Sequence, residues 1–464
     1  MQDNHLPTKE LQALDAAHHI HPFTDQAAMN AKGARVITKA KGIYLWDSEG
    51  EKLLDGMAGL WCVNLGYSRQ ELADAATRQM MQLPYYNTFF HTTHPPAVML
   101  AAKLAEISPG DLNHVFFSGS GSEANDTNMR MVRHYWATVG KPEKKVIISR
   151  KNAYHGSTMA AASLGGMAFM HAQGGLPIPD ITYIDQPYWY GEGGDQSPEE
   201  FGLERARQLE TEIDHIGEDK VAAFIAEPIQ GAGGVIIPPA SYWPEIQRIC
   251  DERDILLIID EVITGYGRTG NWFASETFNI RPDIMTTAKG LSSGYLPIGA
   301  SLICDKVANV LAEQGGEFAH GYTYSAHPVA AAVALENLRI LEEENIVETI
   351  ATETGPYLKE QWMKLADHPL VGEARICGMM AAIELSPDKA NRAPFAGERG
   401  AAGFITREIC FANGLIMRSV GDAMVISPPL VITKSEIDEL ITLALKSLDQ
   451  AHTALIEKGF LKAA

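Results

Sequence analysis

The chain has 464 residues, of which 46% are hydrophobic and 21% are charged, a composition typical of folded soluble proteins. Its 58 acidic and 38 basic residues give a formal net charge of −20, which argues against an extended nucleic-acid surface or an anionic-membrane surface. No signal-peptide pattern opens the chain, and no apolar run reaches the ~18 residues of a spanning helix. The five cysteines form no C-x-x-C pair, so we expect reduced thiols in a cytoplasmic protein.

The first predicted element is a hairpin over residues 42–54, with its turn at residues 48–50. Short apolar runs then recur, and each ends in polar or glycine-rich residues. They cover residues 115–117, 146–148, 222–226 and 255–259. Each run predicts a buried strand followed by a loop. Because helix-length segments separate the strands, we expect parallel βαβ units, which bind ligands beyond the carboxyl ends of their strands.

The pattern changes near residue 325. One helix-like stretch covers residues 329–362 and is predicted to link two lobes. Short strands are predicted at 379–385, 415–420 and 424–427, which indicates an α+β lobe. We expect three parts along the chain. They are an N-terminal segment of the small domain (1–60), a large cofactor-binding domain (61–330) and a C-terminal small domain with the linking helix (331–464).

The loop at residues 119–125, GSGSEAN, follows a predicted strand and opens a predicted helix. Such a loop directs free backbone N–H groups and the positive end of the helix at a phosphate. It also matches G-x-G-x-x-A, which keeps a nicotinamide-dependent dehydrogenase among the alternatives. That fingerprint requires an acid at the end of the next strand, where this chain has Arg150. Taken alone, the motif is also compatible with a tight turn that binds nothing.

Two charged residues are predicted at neighbouring strand ends. Asp260 directly follows the apolar run 255–259, and Lys289 ends the short run MTTAK. A carboxylate at the mouth of a dry strand needs a cationic partner, although a purely structural ion pair would satisfy it too. Pyridoxal 5′-phosphate (PLP) has an aldehyde for a lysine, a ring nitrogen for a carboxylate and a phosphate for the glycine-rich loop. Tyr154, in AYHG, could lay its ring on this cofactor or merely pack.

Six segments resemble class III aminotransferases of PLP fold type I. They are SGSGSEANDT, YHG, AEPIQGAGG, IIDEVITGYGRTG, TTAKGLSSGYLPIGA and HGYTYSAHPVA. Further segments, among them AGLWCVNLGY and GLIMRSVGDAMVISPPLVIT, resemble ω-transaminases that use pyruvate, and in particular the polyamine (putrescine or spermidine):pyruvate branch. The resemblance covers nearly the whole chain. It implies an α/β fold like that of aspartate aminotransferase, with a mostly parallel seven-stranded sheet in the large domain and a smaller α+β domain.

The same resemblance assigns residues around the cofactor ring. It makes Lys289 the lysine that forms the Schiff base and Asp260 the partner of the ring nitrogen. Tyr154 stacks on one face of the ring, and Val262 packs on the other.

Around the phosphate, the resemblance assigns Gly121 and Ser122 to direct contact, while His155 and Glu227 lie one layer behind the cofactor. Thr323 reaches the phosphate of the neighbouring subunit, which implies a homodimer with shared active sites. The sequence does not distinguish a dimer from a tetramer.

The resemblance also implies a substrate pocket with aromatic walls. Its residues are Phe23, Leu60, Trp61, Phe89 and Tyr154, with Ala232 leaving room. Such walls favour apolar or extended amine chains. Arg418 resembles the mobile arginine that binds the carboxylate of pyruvate, since a guanidinium grips a carboxylate with two hydrogen bonds. An arginine that satisfies loop carbonyls is the alternative.

We therefore predict a ping-pong ω-transaminase that moves an amino group from a primary amine or polyamine to pyruvate and releases an aldehyde or ketone and L-alanine. Putrescine, cadaverine, spermidine and arylalkylamines are candidate donors, which the sequence does not rank because one methylene changes binding by only ~1–3 kcal/mol. The alternatives are a β-alanine or ω-amino acid:pyruvate aminotransferase, an aminomutase or decarboxylase on the same fold, a dehydrogenase, and a non-catalytic binding protein.

Five histidines lie in irregular, proline-flanked segments without a fixed acidic companion, so no metal site is expected. They are His18, His19, His21, His91 and His94.

Overall fold

The computed structural model describes residues 6–462, and its strands form three sheets within that range. The strands are β1 Ile37–Lys41, β2 Tyr44–Asp47, β3 Lys52–Asp55, β4 His114–Ser118, β5 Val146–Arg150, β6 Ile181–Ile184, β7 Val221–Ala226, β8 Leu256–Asp260, β9 Ile284–Thr287, β10 Gly299–Ile303, β11 Val371–Cys377, β12 Met380–Leu385, β13 Leu415–Ile416, β14 Arg418–Val420 and β15 Ala423–Ile426.

The helices surround these sheets and connect their strands. They are α1 Thr8–His18, α2 Gln26–Lys32, α3 Ala58–Trp61, α4 Gln70–Gln82, α5 Pro95–Ile107, α6 Gly121–Thr138, α7 Met159–Leu164, α8 Ala168–His171, α9 Trp189–Glu192, α10 Pro198–Ile216, α11 Tyr242–Glu252, α12 Ala274–Thr277, α13 Asp305–Gln314, α14 Pro328–Glu343, α15 Ile346–Thr349, α16 Gly355–Met363, α17 Ala401–Ala412 and α18 Lys434–Glu457. Short 3-10 turns cover Lys289–Ser292 and Lys364–Asp367, and a π turn covers Ile350–Thr354.

The central sheet has seven strands in the order β4-β10-β9-β8-β7-β5-β6. Strands β5 to β9 pair in parallel, whereas β10 is antiparallel to both of its neighbours. Every residue of β7 and β8 is buried, because helices cover both faces of such a sheet, and this explains their continuous apolar sequences. The predicted mostly parallel seven-stranded sheet is confirmed.

Two four-stranded sheets complete the fold, in the orders β1-β2-β3-β13 and β11-β12-β15-β14. The predicted hairpin is formed by β2 and β3. Strand β13 comes from the C-terminal part of the chain and pairs in parallel with β3, so one small sheet combines both ends of the chain. This pairing supports the division at residues 60 and 330, which stays a prediction.

Two segments differ from the predicted elements. The helix-like stretch 329–362 is interrupted at Asn345, which has a left-handed φ of 52°, a conformation that asparagine tolerates. A π turn then precedes Pro356, whose missing N–H and bulky ring disturb regular helical bonding. The predicted strand 415–420 is divided at Met417, because β13 pairs with β3 while β14 pairs with β15.

The structure also describes the state of the cysteines and the hydrophobicity of the helices. All five cysteines are free thiols, as predicted. Within residues 6–462, no helix combines the length and the apolar character that crossing a bilayer requires.

Candidate active site

The carboxyl ends of β8 and β9 lie side by side at one edge of the central sheet. The two strands are parallel, with Asp260 opposite Thr286. Asp260 is the last residue of β8, and Lys289 opens the 3-10 turn that follows β9. Burial lowers the pKa of the Lys289 amine, and the nearby Asp260 partly opposes this effect. The two charged residues therefore face one crevice.

The Asp260 carboxylate is held by three hydrogen bonds. Its Oδ2 accepts from the Asn125 side-chain amide at 2.9 Å and from His155 Nδ1 at 2.8 Å. Its Oδ1 accepts from the backbone N–H of Val262 at 3.1 Å. Only 4% of Asp260 is exposed. Because donors from three segments converge on it, the carboxylate is held in a fixed orientation.

Asn125 lies in the GSGSEAN loop, and its role at the site was not predicted from the sequence. Its amide also donates to the backbone carbonyl of His155 at 2.8 Å. Its Oδ1 accepts from the Thr286 hydroxyl at 2.8 Å. Asn125 therefore joins helix α6, the loop at His155 and the end of β9. A buried amide one turn into an otherwise amphipathic helix is the signal that could have revealed it.

Lys289 has a backbone conformation that residues other than glycine rarely adopt, with φ of 44°. Its pKa is lowered, chiefly because burial disfavours the charged amine. The nearby positive charge of Arg418 lowers it further, while Asp260 acts in the opposite direction. The amine is therefore closer to its neutral, nucleophilic form at physiological pH than an exposed lysine is.

Glu227 follows β7 and supports the loop that carries Tyr154. Its carboxylate accepts from the backbone N–H of Tyr154 at 3.1 Å and from that of Gly231 at 2.9 Å. Burial raises the pKa of Glu227, while the neighbouring His155 and Arg150 partly oppose this effect and Asp260 adds to it. The position of Tyr154 thus depends on a carboxylate outside its own segment.

The start of helix α6 provides a site for an anion. Ser120 caps the helix by accepting from the N–H of Glu123, and the Glu123 carboxylate accepts from the N–H of Gly119 at 2.6 Å. In the part of the chain that the structure describes, the N–H groups of Gly121 and Ser122 have no acceptor. These free donors and the positive end of the helix dipole suit a phosphate.

Tight packing fixes this anion site against β8 and the Tyr154 loop. A Cβ on Gly121 would lie only 2.9 Å from Val262 Cγ2, so glycine is required there. Ser122 Oγ accepts from the N–H of Ser157 at 3.1 Å. Gly156, with φ of 139°, approaches so closely that a Cβ would lie 2.5 Å from Ser122 Oγ.

The residues around this crevice fit the aldehyde, the ring nitrogen and the phosphate of PLP. A buried amine, a hydrogen-bonded carboxylate and free helix N–H groups all occur at the carboxyl edge of one sheet. The Nε2 atom of His155 is buried and has no hydrogen-bond partner within residues 6–462, which leaves a polar atom available toward a ligand.

The predicted pocket residues fall into two groups, and the first contains Phe23, Trp61 and Ala232. Phe23 packs edge-on against Tyr154, with ring centroids 6.4 Å apart. Trp61 is 1% exposed and Ala232 is 6% exposed, and Trp61 packs in a cluster with Val235 and Val425.

Phe89 and Thr323 belong to the second group, which lies elsewhere in this chain. Phe89 contacts Gly321, where a Cβ would lie 2.8 Å from its ring. Thr323 is exposed, and its carbonyl accepts from the Tyr85 hydroxyl at 2.7 Å. Within residues 6–462, no hydrogen bond or ring contact joins Phe89 or Thr323 to Lys289 or Tyr154.

Arg418 is the first residue of β14 and pairs in register with Val425. Burial lowers its pKa, and the positive charge of Arg407 adds to this effect. Among the described residues, its side chain has neither an ion-pair partner nor a hydrogen bond. Its positive charge contributes to the lowered pKa of Lys289, so the two basic groups interact electrostatically.

The structure also brings Asp15, His19 and His21 together. Asp15 Oδ1 lies 3.0 Å from His19 Nδ1 and 2.9 Å from His21 Nε2. Asp15 is thus an acidic companion that the sequence analysis did not identify, and His18 ends helix α1 rather than lying in an irregular segment. The expected absence of a metal stays a prediction.

Comparison with known proteins places this geometry in a family. The model of the class-III aminotransferases matches residues 26–448. The putrescine–pyruvate aminotransferase of Pseudomonas aeruginosa is 62% identical over 455 residues, which cover 98% of this chain and 99% of that protein. The diaminobutyrate–2-oxoglutarate transaminase of Halomonas elongata is 40% identical over 463 residues, 97% of this chain and 96% of that protein.

A solved structure agrees with these relatives. The omega transaminase from Pseudomonas jessenii, in complex with PMP, superposes with a TM-score of 0.93 at 43% identity, covering 96% of this chain and 98% of that chain. The predicted family, fold class and cofactor are confirmed. The chain belongs to the class III aminotransferases, enzymes of PLP fold type I that use pyridoxal 5′-phosphate.

Proposed function

We propose that this aminotransferase moves an amino group from a primary amine or polyamine to pyruvate in a ping-pong reaction. Putrescine, cadaverine, spermidine or an arylalkylamine is the donor, and the products are an aldehyde or ketone and L-alanine. The observation that carries the proposal is the uncompensated Arg418 beside Lys289, which offers a carboxylate site for the acceptor. The 62% identity to a putrescine–pyruvate aminotransferase over nearly the full chain supports the choice of substrates.

PLP, when bound, supplies an aldehyde that exchanges amines and a protonated ring that withdraws electrons from the reacting carbon. We assign Lys289 to the aldehyde and Asp260 to the ring nitrogen. The three donors to Asp260 keep its carboxylate oriented, and this carboxylate would accept a hydrogen bond from a protonated ring nitrogen. Tyr154 and Val262 would hold the two faces of the ring.

Other residues would hold the remaining parts of the cofactor. Gly121 and Ser122 offer their free N–H groups to the phosphate, and Thr323 of the partner subunit would complete that contact. His155 and Glu227 act through their neighbours, since His155 orients Asp260 and Glu227 orients the Tyr154 loop.

Lys289 is the proposed proton carrier. Because burial lowers the pKa of its Nζ, the amine can be neutral and accept the proton from the carbon that bears nitrogen. Lys289 would deliver a proton to the former aldehyde carbon of the cofactor before the aldehyde or ketone product leaves, and it would move a proton in the opposite direction when pyruvate takes up the amino group.

Arg418 would bind the carboxylate of pyruvate and leave the site when a donor without a carboxylate enters. Two charge-assisted hydrogen bonds would orient the keto carbon toward the cofactor. The walls described above, Phe23, Leu60, Trp61, Phe89 and Tyr154, with Ala232 between them, would bind the carbon chain of the donor.

We also propose a homodimer with shared active sites. An exposed aromatic surface surrounds Thr323, where Tyr86 is 49%, Phe90 88% and Tyr324 65% exposed. The rings of Tyr85 and Tyr324 lie 5.9 Å apart. A monomer rarely leaves such an apolar surface in water, and a second copy would cover it and bring Phe89 and Thr323 to a neighbouring site. A cytoplasmic location is part of the same proposal.

A β-alanine or ω-amino acid:pyruvate aminotransferase is the second candidate function. Arg418 favours it as well, since the guanidinium can bind the carboxylate of such a donor. The family assignment removes the dehydrogenase and non-catalytic alternatives. An aminomutase or decarboxylase would produce no alanine from pyruvate.

A donor panel tests the proposal. The holoenzyme is incubated with pyruvate and putrescine, cadaverine, spermidine, 1-phenylethylamine or β-alanine, and both products are measured by mass spectrometry. We expect one alanine for each donor molecule consumed and faster turnover of the amines than of β-alanine. Preferred turnover of β-alanine would favour the second candidate, and donor loss without alanine would contradict both.

A further inference from the structure

A strained turn carries two of the proposed pocket residues, Leu60 and Trp61. Ala58 has φ of 47°, Gly59 of 67° and Trp61 of 65°. Leu60, between them, also lies outside the helical region, with φ of −133° and ψ of 64°. Residues other than glycine rarely adopt positive φ, and such backbone persists only when surrounding contacts enforce it. The turn at residues 57–61 therefore depends on contacts from outside it.

The Asp55 carboxylate provides those contacts. It is fully buried, and its Oδ1 accepts from the N–H of Met57 at 2.9 Å. Its Oδ2 accepts from the N–H of Gly59 at 2.6 Å and from the Tyr67 hydroxyl at 2.6 Å. Burial and the Asp55 charge both raise the pKa of Tyr67, so this hydroxyl keeps its proton and remains a donor.

Asp55 also connects the turn to β13, the strand that precedes Arg418 in the chain. Asp55 ends β3 and lies opposite Ile416 of β13. The next residue, Gly56, donates its N–H to the Ile416 carbonyl at 3.1 Å and accepts from the N–H of Ser427 at 2.7 Å. The turn and the proposed acceptor site thus share one backbone anchor.

Trp61 has no polar anchor of its own. Its Nε1 is buried without a hydrogen-bond partner in the described residues. Its ring packs in an apolar cluster that includes Val425 and the partly buried Val420, the last residue of the strand that Arg418 begins. Apolar contacts are not directional, so the orientation of the ring depends on the turn that presents it.

We propose that Asp55 and Tyr67 are positioning residues that set amine-donor specificity by fixing residues 57–61. They do not touch substrate or cofactor. Their hydrogen bonds hold Leu60 and Trp61 at a set distance from Arg418, and so determine how bulky a donor fits. This inference rests on the proposed role of Leu60 and Trp61 as pocket walls.

The test compares three single substitutions in the holoenzyme. Asp55→Asn replaces one acceptor oxygen by a donor NH₂, and Tyr67→Phe removes one donor to the carboxylate. Asp47→Asn is the matched control, because Asp47 is also buried and accepts from the backbone N–H groups of Glu49 and Glu51 in the preceding hairpin turn. The readout is the ratio of kcat/KM for putrescine to that for 1-phenylethylamine, with pyruvate as acceptor.

We expect Asp55→Asn to change this ratio by about tenfold, mainly through the donor KM, since it breaks a hydrogen bond to a buried charge. Tyr67→Phe should change it in the same direction by less, and Asp47→Asn should leave it unaltered. An equal change in the Asp47→Asn variant, or an unchanged ratio in both other variants, would overturn the proposal.

The reactivity of the Cys62 thiol reports on the conformation of the turn. Cys62 directly follows Trp61, is half-buried, and its N–H donates to the Ala58 carbonyl at 2.9 Å. Asp55→Asn should raise its rate of reaction with DTNB, and a Cys62→Ser substitution in each background identifies the signal. Faster labelling with an unchanged donor ratio overturns the specificity role.

Two further outcomes are also decisive. If Asp55→Asn does not fold, Tyr67→Phe alone decides the inference by the same two measurements. A wild-type enzyme that converts no amine would instead refute the proposed function, while the labelling result would still report on the turn.

Discussion

Replacement of Arg418 by glutamine should affect only one half of the reaction. The guanidinium has no ion-pair partner in residues 6–462, so its removal leaves no carboxylate uncompensated and should change the free energy of unfolding by less than about 0.5 kcal/mol. The loss of two charge-assisted hydrogen bonds to pyruvate should cost about 3 kcal/mol, or a ~150-fold lower rate constant for that half-reaction. The donor half-reaction with putrescine, which has no carboxylate, should change little.

Rapid-mixing spectrophotometry measures the two halves separately, because the cofactor absorbs differently before and after it takes up the amino group. Arg407→Gln is the control. Arg407 also places positive charge near Arg418, but it already pairs with Glu408 at 2.9 Å. Its replacement should leave the pyruvate half-reaction within a few fold of wild type.

Two results would refute this reasoning. Equal losses in both half-reactions would show that Arg418 supports the site as a whole. A normal rate with pyruvate would show that the acceptor carboxylate binds elsewhere.

Three other predictions concern stability and assembly. The folded-state pKa of Lys289 lies below its ordinary value, so the charged amine opposes folding at neutral pH, and stability is lost as the pH falls through the folded-state pKa. Apoenzyme with Lys289→Met should therefore melt at a higher temperature than wild-type apoenzyme at pH 7, with a smaller difference at pH 10; a lower melting temperature at pH 7 would contradict the burial argument. Asn125→Ala should lower the free energy of unfolding of the apoenzyme by about 2–3 kcal/mol, since it breaks several buried hydrogen bonds, and an unchanged urea midpoint would disprove this. Phe90→Asp should shift the protein toward monomers in analytical ultracentrifugation, because the charge would be buried in the proposed interface, and unaltered sedimentation would argue against an interface there.

The sequence predicted those parts of the fold that depend on local pattern. Strands β7 and β8 are continuous apolar runs because both faces of the sheet are covered, and a loop with polar or glycine-rich residues follows each. Asp260 and Lys289 were predicted to face each other because the ends of parallel neighbouring strands share one edge. The antiparallel direction of β10 was not predicted, since an apolar run has no sequence feature that reports its direction.

Other features depend on distant contacts that no short pattern contains. Asn125 is a polar residue on a helix, and only the tertiary fold shows that Asp260 and Thr286 lie opposite its amide. The turn at residues 57–61 is unpredicted for a similar reason, because Asp55 and Tyr67 enforce its strained backbone from outside. Phe89 and Thr323 were assigned to the site by resemblance, and this assignment stays a prediction.

The division of residues 415–420 between two sheets limits how Arg418 can move. Its backbone pairs with β15 on one side of Met417, while the preceding residues pair with β3. A displacement of the main chain would break one of these pairings, whereas rotation about the side-chain torsions breaks neither. Alternation between the two substrates would then require only rotation of the Arg418 side chain, while both sheets keep their pairing.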